Sequence, residues 1–423
     1  MQDAEGEAAM VSTITKSTSG SAFWTLTLCA LAAIGEGFDI QSMGVAAPRM
    51  GPALGLTHAQ LGPLFSASIV GLLIGSIVVG RIADTVGRKW SLIGSLAAFG
   101  VFSASTAFVA GFTPLLLVRF LAGLGLGGAM PNLITLSAEA LAAEGVAVDR
   151  RTRLVTMITA GMPFGGALAG VAAICLSWRG IFFVGAALPL VLAPLMAISL
   201  PESLGFRSAR HPAGEGLERI GVQAGLFGKG RLATTLLLWA ATFCALLSLY
   251  LLINWLPTLM RAKGVSPRDA SLVSVLYNLG GALSAFLLAA LLGQRRRAAM
   301  LAVWYLGMAG SILLLANAGR DLASAGGAGF IAGVFIASAA LPFYGLAPAY
   351  YEIEVRGAGV GAALGVGRSG AIVGPLLAGV LLTAGAGAGS VIMALLPLAV
   401  AIGASAMFLM RRDTVREGEV SFY

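Results

Sequence analysis

The sequence predicts an all-α membrane protein in which twelve transmembrane helices form two pseudo-symmetric bundles of six. Three observations lead to this fold class. Of the 423 residues, 58% are hydrophobic and only 11% are charged, whereas a soluble protein carries about a quarter charged residues. The apolar residues form twelve long runs, and about 20 helical residues suffice to cross a bilayer. One long polar stretch falls between the sixth and seventh runs and divides them evenly.

The twelve runs are separated by short polar loops. Glycine is frequent inside the runs, and the chain contains 58 glycines in all. Glycine is common in membrane helices because it lets helix backbones approach closely. The first run carries two carboxylates and is expected to be broken there. The predicted spans are residues 22–49, 60–80, 90–110, 114–141, 154–177, 180–200, 232–257, 269–292, 298–317, 327–350, 358–384 and 389–410.

The long polar stretch is rich in proline, glycine and charge, as is typical of a linker. Basic residues concentrate in this stretch, in the tails and in alternate loops, which predicts that both termini face the cytoplasm of a bacterial-type inner membrane. The predicted organisation is an N-terminal tail (1–21), a first six-helix bundle (22–200), a central linker (201–231), a second six-helix bundle (232–410) and a C-terminal tail (411–423).

Charge and cysteine content argue against several functional classes. The net charge of +8 comes from basic residues spread over many loops, so no nucleic-acid partner is expected. Cys29, Cys175 and Cys244 lie within predicted spans, so no disulfide framework is indicated. The sequence shows no nucleotide loop, metal-spaced cluster or Ser/His/Asp set. We therefore expect neither an enzyme nor a bound cofactor.

Two carboxylates interrupt the first run in the stretch AAIGEGFDIQSMGVAA, residues 32–47. Glu36 and Asp39 are three residues apart and share one face of a helix. Insertion scales put a charged residue at the centre of a membrane helix at a cost of about 2.5–3.5 kcal/mol. Both carboxylates are therefore expected to face the bundle interior or a water-filled cavity. There they could bind substrate or protons, or form a salt bridge that only joins helices.

The fourth run carries a candidate partner for these acids. Arg119 and Glu139 are twenty residues apart, which is about 30 Å along a helix. Arg119 should lie near the outer surface, at a depth comparable with that of Asp39, so a pairing of Asp39 with Arg119 is plausible. Glu139 should lie at the cytoplasmic end, close to the loop that follows the second run.

The second half supplies a buried cation of its own. Arg368 lies about 15 Å into the eleventh run, where a guanidinium needs a carboxylate partner. No acidic residue stands at that depth in runs seven to twelve, so a ligand carboxylate could bind through a bidentate contact. Backbone carbonyls, Glu36 or Asp39 are the alternatives. Three polar or aromatic residues could complete a pocket: Tyr250, Asn254 and Tyr344.

The loop after the second run reads GRIADTVGRK, residues 80–89. Gly80 and Gly87 permit tight turns and close helix contact, and Asp84 can pair with Arg88 if the backbone is helical. The alternative is an ordinary loop whose charges only set topology, but the ordered set is far more specific. It closely resembles the signature of the major facilitator superfamily, where this loop acts as a cytoplasmic latch. The resemblance implies that Asp84 and Arg88 control conformational exchange.

Further motifs extend the resemblance from about Trp24 to Arg412. They are EGFD in the first run, R-x-x-x-G-x-G-x-G followed by Pro-Asn and Glu in the fourth, NWLP in the seventh, R-x-x-G-x-G before the eleventh, and G-R-x-G-x-x-x-G-P within it. These motifs are similar to those of the aromatic acid:proton symporters of this superfamily. Glu36 stands where that family usually has Asp, which keeps the charge and lengthens the side chain.

The resemblance implies proton-coupled import of a small aromatic carboxylate, of the hydroxylated phenylpropionate or benzoate type, by alternating access. The expected partners are this substrate, the proton as coupling ion and the lipid bilayer, and the unit is expected to be a monomer. Matched positions, with the pocket residues above, assign proton coupling to Glu36, Asp39 and Glu139; substrate binding to Arg119, Asn132, Arg368, Tyr250, Asn254 and Tyr344; and gating to Gly80, Asp84, Arg88 and Arg356.

Two other functions fit parts of the sequence. A proton-coupled antiporter or exporter of another small organic compound would share the fold, although many exporters carry Gly-Pro in the fifth span, where Met162 precedes Pro163 here. A non-transporting sensor would usually carry a sizeable signalling domain, and the largest loop has only about thirty residues. Import of an aromatic acid therefore remains the favoured interpretation.

Overall fold

A computed structural model describes the chain over most of its length, and the regular secondary structure of the described residues is helical throughout. The predicted tail 1–21 lies outside these residues except for its last three, which begin the first helix. Most of the predicted linker 201–231 and the end of the predicted tail 411–423 also lie outside them. The described residues are 19–203, 226–228, 231–292, 297–351 and 353–420.

The helices follow the predicted spans. In a bilayer every backbone N–H and C=O group must be paired within the protein, and a helix achieves this within one segment. Within the described ranges, eleven helical segments are long and apolar enough to cross a membrane. The helices are α1 Ser19–Ala53, α2 His58–Val86, α3 Arg88–Thr106, α4 Phe112–Ala143, α5 Val148–Thr159, α6 Gly161–Cys175, α7 Trp178–Ser199, α8 Leu232–Ala262, α9 Pro267–Leu292, α10 Arg297–Asn317, α11 Leu322–Ile336, α12 Leu341–Leu346, α13 Ile353–Thr383, α14 Ala388–Met393 and α15 Leu396–Val420.

The third predicted span corresponds to α3, which is not among those eleven segments. This helix has 19 residues and begins with Arg88 and Lys89. It packs along α4. All twelve predicted spans therefore coincide with helices, and the twelve-helix membrane fold is confirmed.

The first helix contradicts one expectation. We expected a break at the acidic motif, but α1 runs without interruption for 35 residues and passes through Glu36 and Asp39. No unwinding is needed because side chains of other helices, rather than free backbone groups, bind the Asp39 carboxylate. Breaks occur elsewhere: the fifth predicted span divides into α5 and α6, and the twelfth into α14 and α15.

The chain groups by contact into two compact units. One boundary falls in the predicted linker, between residues 214 and 215, but others fall inside α1, α2 and α6 and at the start of α7. The units therefore differ from a division into two successive six-helix bundles, which stays a prediction. The first unit is drawn from Met1–Ile40, Val70–Gly166 and Arg179–Gly214, and the second from Gln41–Ile69, Ala167–Trp178 and Glu215–Tyr423.

The first unit is built around a core shared by α1, α3, α4 and α7. Leu92, Leu96 and Phe99 of α3 pack with Leu126 and Leu133 of α4, and all five side chains are buried. The small residues of α4 let α3 approach along its length, which fits the role of glycine in membrane helix packing. This core fixes the relative positions of α1, α3 and α4, which carry the charged residues of the site.

The second unit is centred on the pairing of α8 with α13. Trp255 of α8 is completely buried, meets the ring of Phe65 edge-on at 5.1 Å, and donates its Nε1–H to the carbonyl of Pro375 at 3.0 Å. Edge-to-face rings and a satisfied indole N–H are favourable for a buried tryptophan. The NWLP motif of α8 is therefore tied to both α2 and α13.

Candidate functional site

A buried ion pair joins α1 and α4 in the first unit. The Arg119 guanidinium binds the Asp39 carboxylate through two parallel hydrogen bonds, Nη1 to Oδ1 at 3.0 Å and Nη2 to Oδ2 at 2.8 Å. Only 1% of the Arg119 side chain and 2% of the Asp39 side chain are exposed. The comparable depth of the two residues made this pairing plausible, and the structure contains it. A paired geometry of this kind is the strongest that arginine forms with a carboxylate.

Two further side chains complete this site. The hydroxyl of Ser103 in α3 donates to Oδ1 of Asp39 at 2.9 Å, and the Arg119 guanidinium lies 5.7 Å from the ring centre of Phe182 in α7. The aromatic face attracts the cation. Sequence analysis missed both residues, because a single serine or phenylalanine in an apolar run has no distinctive pattern.

Glycine explains how the acidic motif fits against its neighbours. A side chain at Gly37, between the two acids, would collide with the backbone carbonyl of Met162 in α6. A side chain at Gly165 would likewise collide with the carbonyl of Ile34. The backbones of α1 and α6 thus lie in direct contact at the level of the carboxylates. Glu36 is buried there with 3% of its surface exposed.

A second ion pair lies at the other end of α4. Arg88 Nη1 and Glu139 Oε1 are 2.5 Å apart, and the two side chains are 32% and 22% exposed. Sequence analysis placed Glu139 near this loop, as observed. Arg88 pairs with Glu139 and not with Asp84, because the helical backbone on which a pairing with Asp84 depended is interrupted at Gly87, where φ is 103°. Asp84 lies exposed near the end of α2.

The carboxylate of Glu202, which was not predicted to have a role, binds the loop between α2 and α3. Glu202 Oε1 accepts hydrogen bonds from the backbone N–H groups of Lys89 and Ser203, both at 3.0 Å. Its carboxylate fills the space that a side chain at Gly87 would need. Glu202 therefore caps the start of α3, where backbone N–H groups lack helical partners and the helix dipole favours negative charge. It lies at the start of the predicted linker, and no role for Glu202 was predicted from the sequence.

The other predicted gating residues have fewer contacts. Gly80 lies inside α2, and a side chain added there would meet no atom of the described chain within 4 Å. The turn and close contact expected at Gly80 are therefore not present in this structure. Arg356 is exposed in the first turns of α13. Their gating roles stay predictions.

In the second unit, three predicted pocket residues come together. Tyr344 of α12 lies near both Tyr250 of α8 and Arg368 of α13. All three side chains are half-buried. Residues nearly 120 positions apart thus bring two phenol groups and one guanidinium into one region. This set can bind a carboxylate through the arginine and a ring hydroxyl through a tyrosine.

The two predicted asparagines use their amide N–H groups within their own helices. Asn132 Nδ2 donates to the Gly128 carbonyl and Asn254 Nδ2 donates to the Tyr250 carbonyl, each at 2.8 Å. Both side chains are buried. Their predicted contact with substrate stays a prediction.

A proline creates an additional contact in the second unit. Pro257 has no N–H, so the carbonyl of Ile253, four residues earlier, cannot form its usual helical hydrogen bond. Gln41 of α1 supplies the missing donor, with Nε2 at 3.1 Å from the Ile253 oxygen. The backbones of α1 and α8 approach closely at this point, since a side chain at Gly44 would collide with the backbone of Ile253 and Asn254. Sequence analysis did not single out Gln41.

Metal chemistry has no obvious location in the described part of the chain. No three His, Cys, Asp or Glu residues are placed there to hold an ion together. The chemistry that the described ranges offer is ionic and hydrogen-bonding, and it is concentrated on helices that cross the bilayer.

Comparison with known proteins gives the same class of fold. The family model of the Major Facilitator Superfamily matches residues 29–240 and 238–422. The crystal structure of the nucleoside transporter NupG superposes with a TM-score of 0.71 at 14% identity, covering 92% of this chain and 98% of that one. The D-xylose–proton symporter superposes with a TM-score of 0.70 at 16% identity, covering 92% and 97%. At this identity the likenesses establish the fold alone.

Relatives in sequence are considerably more similar. The chain is 41% identical to the 3-(3-hydroxy-phenyl)propionate transporter of Escherichia coli, covering 95% of this chain and 98% of the relative. It is 34% identical to the gallate transporter of Pseudomonas putida, covering 86% of each. It is 32% identical to the 4-hydroxybenzoate transporter PcaK of Pseudomonas aeruginosa, covering 89% and 90%.

The family match and the relatives in sequence, together with the eleven apolar helices of the described residues, define a multi-pass membrane transport protein rather than an enzyme. The chain belongs to the Major Facilitator Superfamily, and within it to the aromatic acid permeases.

Proposed function

We propose that the protein imports a small aromatic carboxylate, of the hydroxylated phenylpropionate or benzoate type, together with a proton. The names of its relatives support the substrate class, because they transport 3-(3-hydroxy-phenyl)propionate, gallate and 4-hydroxybenzoate. The observation that carries the proton coupling is the fully buried pair of Asp39 and Arg119. Transport proceeds by alternating access across a bacterial inner membrane, with both termini in the cytoplasm.

The buried pair can couple a proton to an anion because its two members need one another. Removing one partner of a buried pair leaves the other charge uncompensated, at a cost of about 3–5 kcal/mol. When a proton neutralises Asp39, Arg119 becomes such a charge, and an anionic substrate is attracted into the protein. When the substrate leaves, Asp39 releases its proton and binds Arg119 again. Glu36, one turn earlier, is proposed to assist in proton transfer.

The substrate end of the cycle is assigned to the second unit. Arg368 binds the carboxylate of the substrate, since a guanidinium offers two parallel donors to a carboxylate. Tyr250 and Tyr344 lie near it and offer hydroxyls for the polar groups of the ring. Asn132 and Asn254 remain proposed substrate contacts on the strength of the sequence motifs alone.

Gating is assigned to the charged contacts around the loop that joins α2 to α3. The pair of Arg88 with Glu139 joins α3 to α4, and the cap of Glu202 joins α3 to the segment that follows α7. Breaking them would accompany exchange between states. Asp84, Gly80 and Arg356 remain proposed gating residues. The cycle needs no cofactor besides the proton and is proposed to operate in a monomer.

Uptake in energised membrane vesicles tests the proposal. Labelled benzoates, phenylacetates and phenylpropionates are offered with and without an uncoupler. We expect accumulation of a hydroxylated aromatic acid, loss of accumulation with the uncoupler, and loss of coupled uptake in Asp39→Asn. Undiminished proton-driven uptake by Asp39→Asn would contradict the assignment. Accumulation in inverted vesicles would instead indicate export.

A further inference from the structure

Ser103 is fully buried in α3 and forms an unusual hydrogen bond for a serine in a membrane helix. Serine and threonine hydroxyls in helices usually donate to a carbonyl one turn earlier in the same helix. Two neighbours in α3 do so: Ser105 donates to the Val101 carbonyl at 2.8 Å and Thr106 to the Phe102 carbonyl at 3.1 Å. Ser103 instead donates to Asp39 of α1 at 2.9 Å. Its hydroxyl is thus committed to the carboxylate.

Ser103 lies in a fully buried part of the first unit. Gly185 of α7 faces it, and a side chain there would come within 3.9 Å of the Ser103 Oγ and press on the ring of Phe38. None of the Ser103 surface is exposed. The Asp39 Oδ1 atom therefore receives two donors, the Ser103 hydroxyl and Arg119 Nη1, while Oδ2 receives Arg119 Nη2.

We infer that Ser103 is a positioning residue that holds Asp39 in place through both protonation states and thereby sets the pH dependence of coupled uptake. This inference rests on the proposed role of Asp39. A hydroxyl has one donor and two acceptor positions. It can donate to the carboxylate and, by rotating, accept from the protonated acid. Arg119 can only donate hydrogen bonds. Of these two residues, only Ser103 can therefore form a hydrogen bond with Asp39 in both its ionised and its protonated state.

Few other charges act on Asp39 in the first unit. Arg119 approaches from α4, and Glu36 lies one turn away in α1. Arg179 of α7 donates instead to the Ala107 carbonyl at 3.0 Å. The basic residues of α3 lie at its opposite end, about 20 Å from Ser103 along the helix. The α6 segment contains no residue ionised at neutral pH.

The test compares Ser103→Ala with Ser103→Thr, and uses Ser105→Ala as the matched control from the same helix. Net proton-driven uptake is measured against external pH, and substrate exchange is measured under counterflow without a proton gradient. A hydrogen bond to a charged group is worth enough to move the midpoint of the pH profile by about one pH unit. Without the Ser103 donor the Asp39 carboxylate loses one of its hydrogen bonds, so coupled uptake should persist to higher pH.

We expect the pH midpoint of net uptake by Ser103→Ala to rise by about one unit while counterflow is retained. Ser103→Thr and Ser105→Ala should follow the wild-type profile. An unchanged profile for a folded Ser103→Ala, or an equal loss of uptake and counterflow, would overturn the inference. If Ser103→Ala is not produced in folded form, Ser103→Cys is used in its place. The thiol is a weak donor, so the pH midpoint of uptake should rise by a smaller amount. An unchanged midpoint for Ser103→Cys would then overturn the inference.

The two proposals fail in distinguishable ways. Coupled uptake by Asp39→Asn would remove the proton role of Asp39 and the role of Ser103 with it. Uncoupled transport by Asp39→Asn, together with a wild-type pH profile for Ser103→Ala, would overturn the role of Ser103 alone.

Discussion

The guanidinium of Arg119 and the carboxylate of Asp39 are joined by two hydrogen bonds, 3.0 and 2.8 Å long. Both side chains are almost completely shielded from solvent. The two residues are 80 positions apart in the sequence. The pair is therefore a product of the tertiary fold. Its burial makes each member dependent on the other, which is the basis of the first prediction.

Removing one member of this pair should destabilise the protein more than removing both. Arg119→Leu leaves the Asp39 charge buried alone, which costs about 3–5 kcal/mol. The double variant Asp39→Asn with Arg119→Leu has no uncompensated charge and should unfold at a higher temperature than Arg119→Leu. Thermal unfolding of the purified protein in detergent measures both. Equal unfolding temperatures for these two variants would show that the pair is not energetically coupled.

The partner of Arg88 can be identified by a double-mutant cycle. Arg88 pairs with Glu139 and not with Asp84, so Arg88→Gln and Glu139→Gln should be coupled. For partly exposed side chains the coupling should be about 0.2–1 kcal/mol. Arg88→Gln with Asp84→Asn should show close to none. Unfolding temperatures and initial uptake rates of the single and double variants provide the measurement, and stronger coupling to Asp84 would contradict the structure.

The contact between Gly37 and Met162 should not tolerate a side chain. Gly37→Ala forces α1 away from α6, and overpacking of this kind costs about 1–3 kcal/mol. We expect a lower unfolding temperature and weak uptake. Gly94→Ala is the control, because a side chain at Gly94 meets no atom of the described chain within 4 Å. A Gly37→Ala protein as stable as Gly94→Ala would exclude the close approach of the two helices.

The bond from Gln41 to the Ile253 carbonyl should matter because Pro257 leaves that carbonyl without a helical donor. Gln41→Leu leaves a buried acceptor unpaired, at a cost of about 1–3 kcal/mol. Pro257→Ala restores a backbone N–H, so Gln41→Leu should cost less in a Pro257→Ala background. Unfolding temperatures of the four proteins test this. If the cost of Gln41→Leu is the same in both backgrounds, the carbonyl is not the partner that matters.

Tyr351 should make stability fall at alkaline pH. Burial raises the pKa of its phenol above the ordinary value of 10.0, and the hydrogen bond to Thr235 and the nearby Arg231 oppose that shift without cancelling it. Because the folded protein holds this proton more tightly than the unfolded chain, stability is lost as the pH rises above about 10. Tyr351→Phe lacks the hydrogen bond to Thr235, 3.1 Å long, and should be less stable at neutral pH. The difference in stability between Tyr351→Phe and wild type should shrink as the pH rises. A difference that stays constant between about pH 9 and 11 would contradict this.

Sequence reasoning reached the fold because membrane insertion is a local property. Each span is recognised from the composition of about 20 consecutive residues, and no knowledge of neighbours is needed. It also predicted the relative positions of Asp39, Arg119 and Glu139 along their helices, because helical rise converts sequence separation into distance. It failed where a single backbone angle decided the outcome. The positive φ of Gly87 directs Arg88 away from Asp84, and spacing alone cannot show this.

Contacts made by ordinary residues were also out of reach. Ser103, Gln41 and Glu202 are unremarkable in sequence, yet each donates to or accepts from a partner on a different segment. Each supplies what its partner needs from outside its own helix: a donor to Asp39 besides Arg119, an N–H for the Ile253 carbonyl, and an acceptor for the Lys89 N–H at the start of α3. Such needs become visible only when the segments are in place.

The sequence by itself determined that the chain crosses a membrane many times and that several ionisable residues lie at lipid depth, because hydropathy and helical rise depend only on residues close together along the chain. Only the tertiary structure decided which charges meet, which carbonyls need a donor from another helix, and where glycine permits contact between backbones. Hydrogen bonds and ion pairs act over about 3 Å, and distances that short between remote segments are set by packing alone.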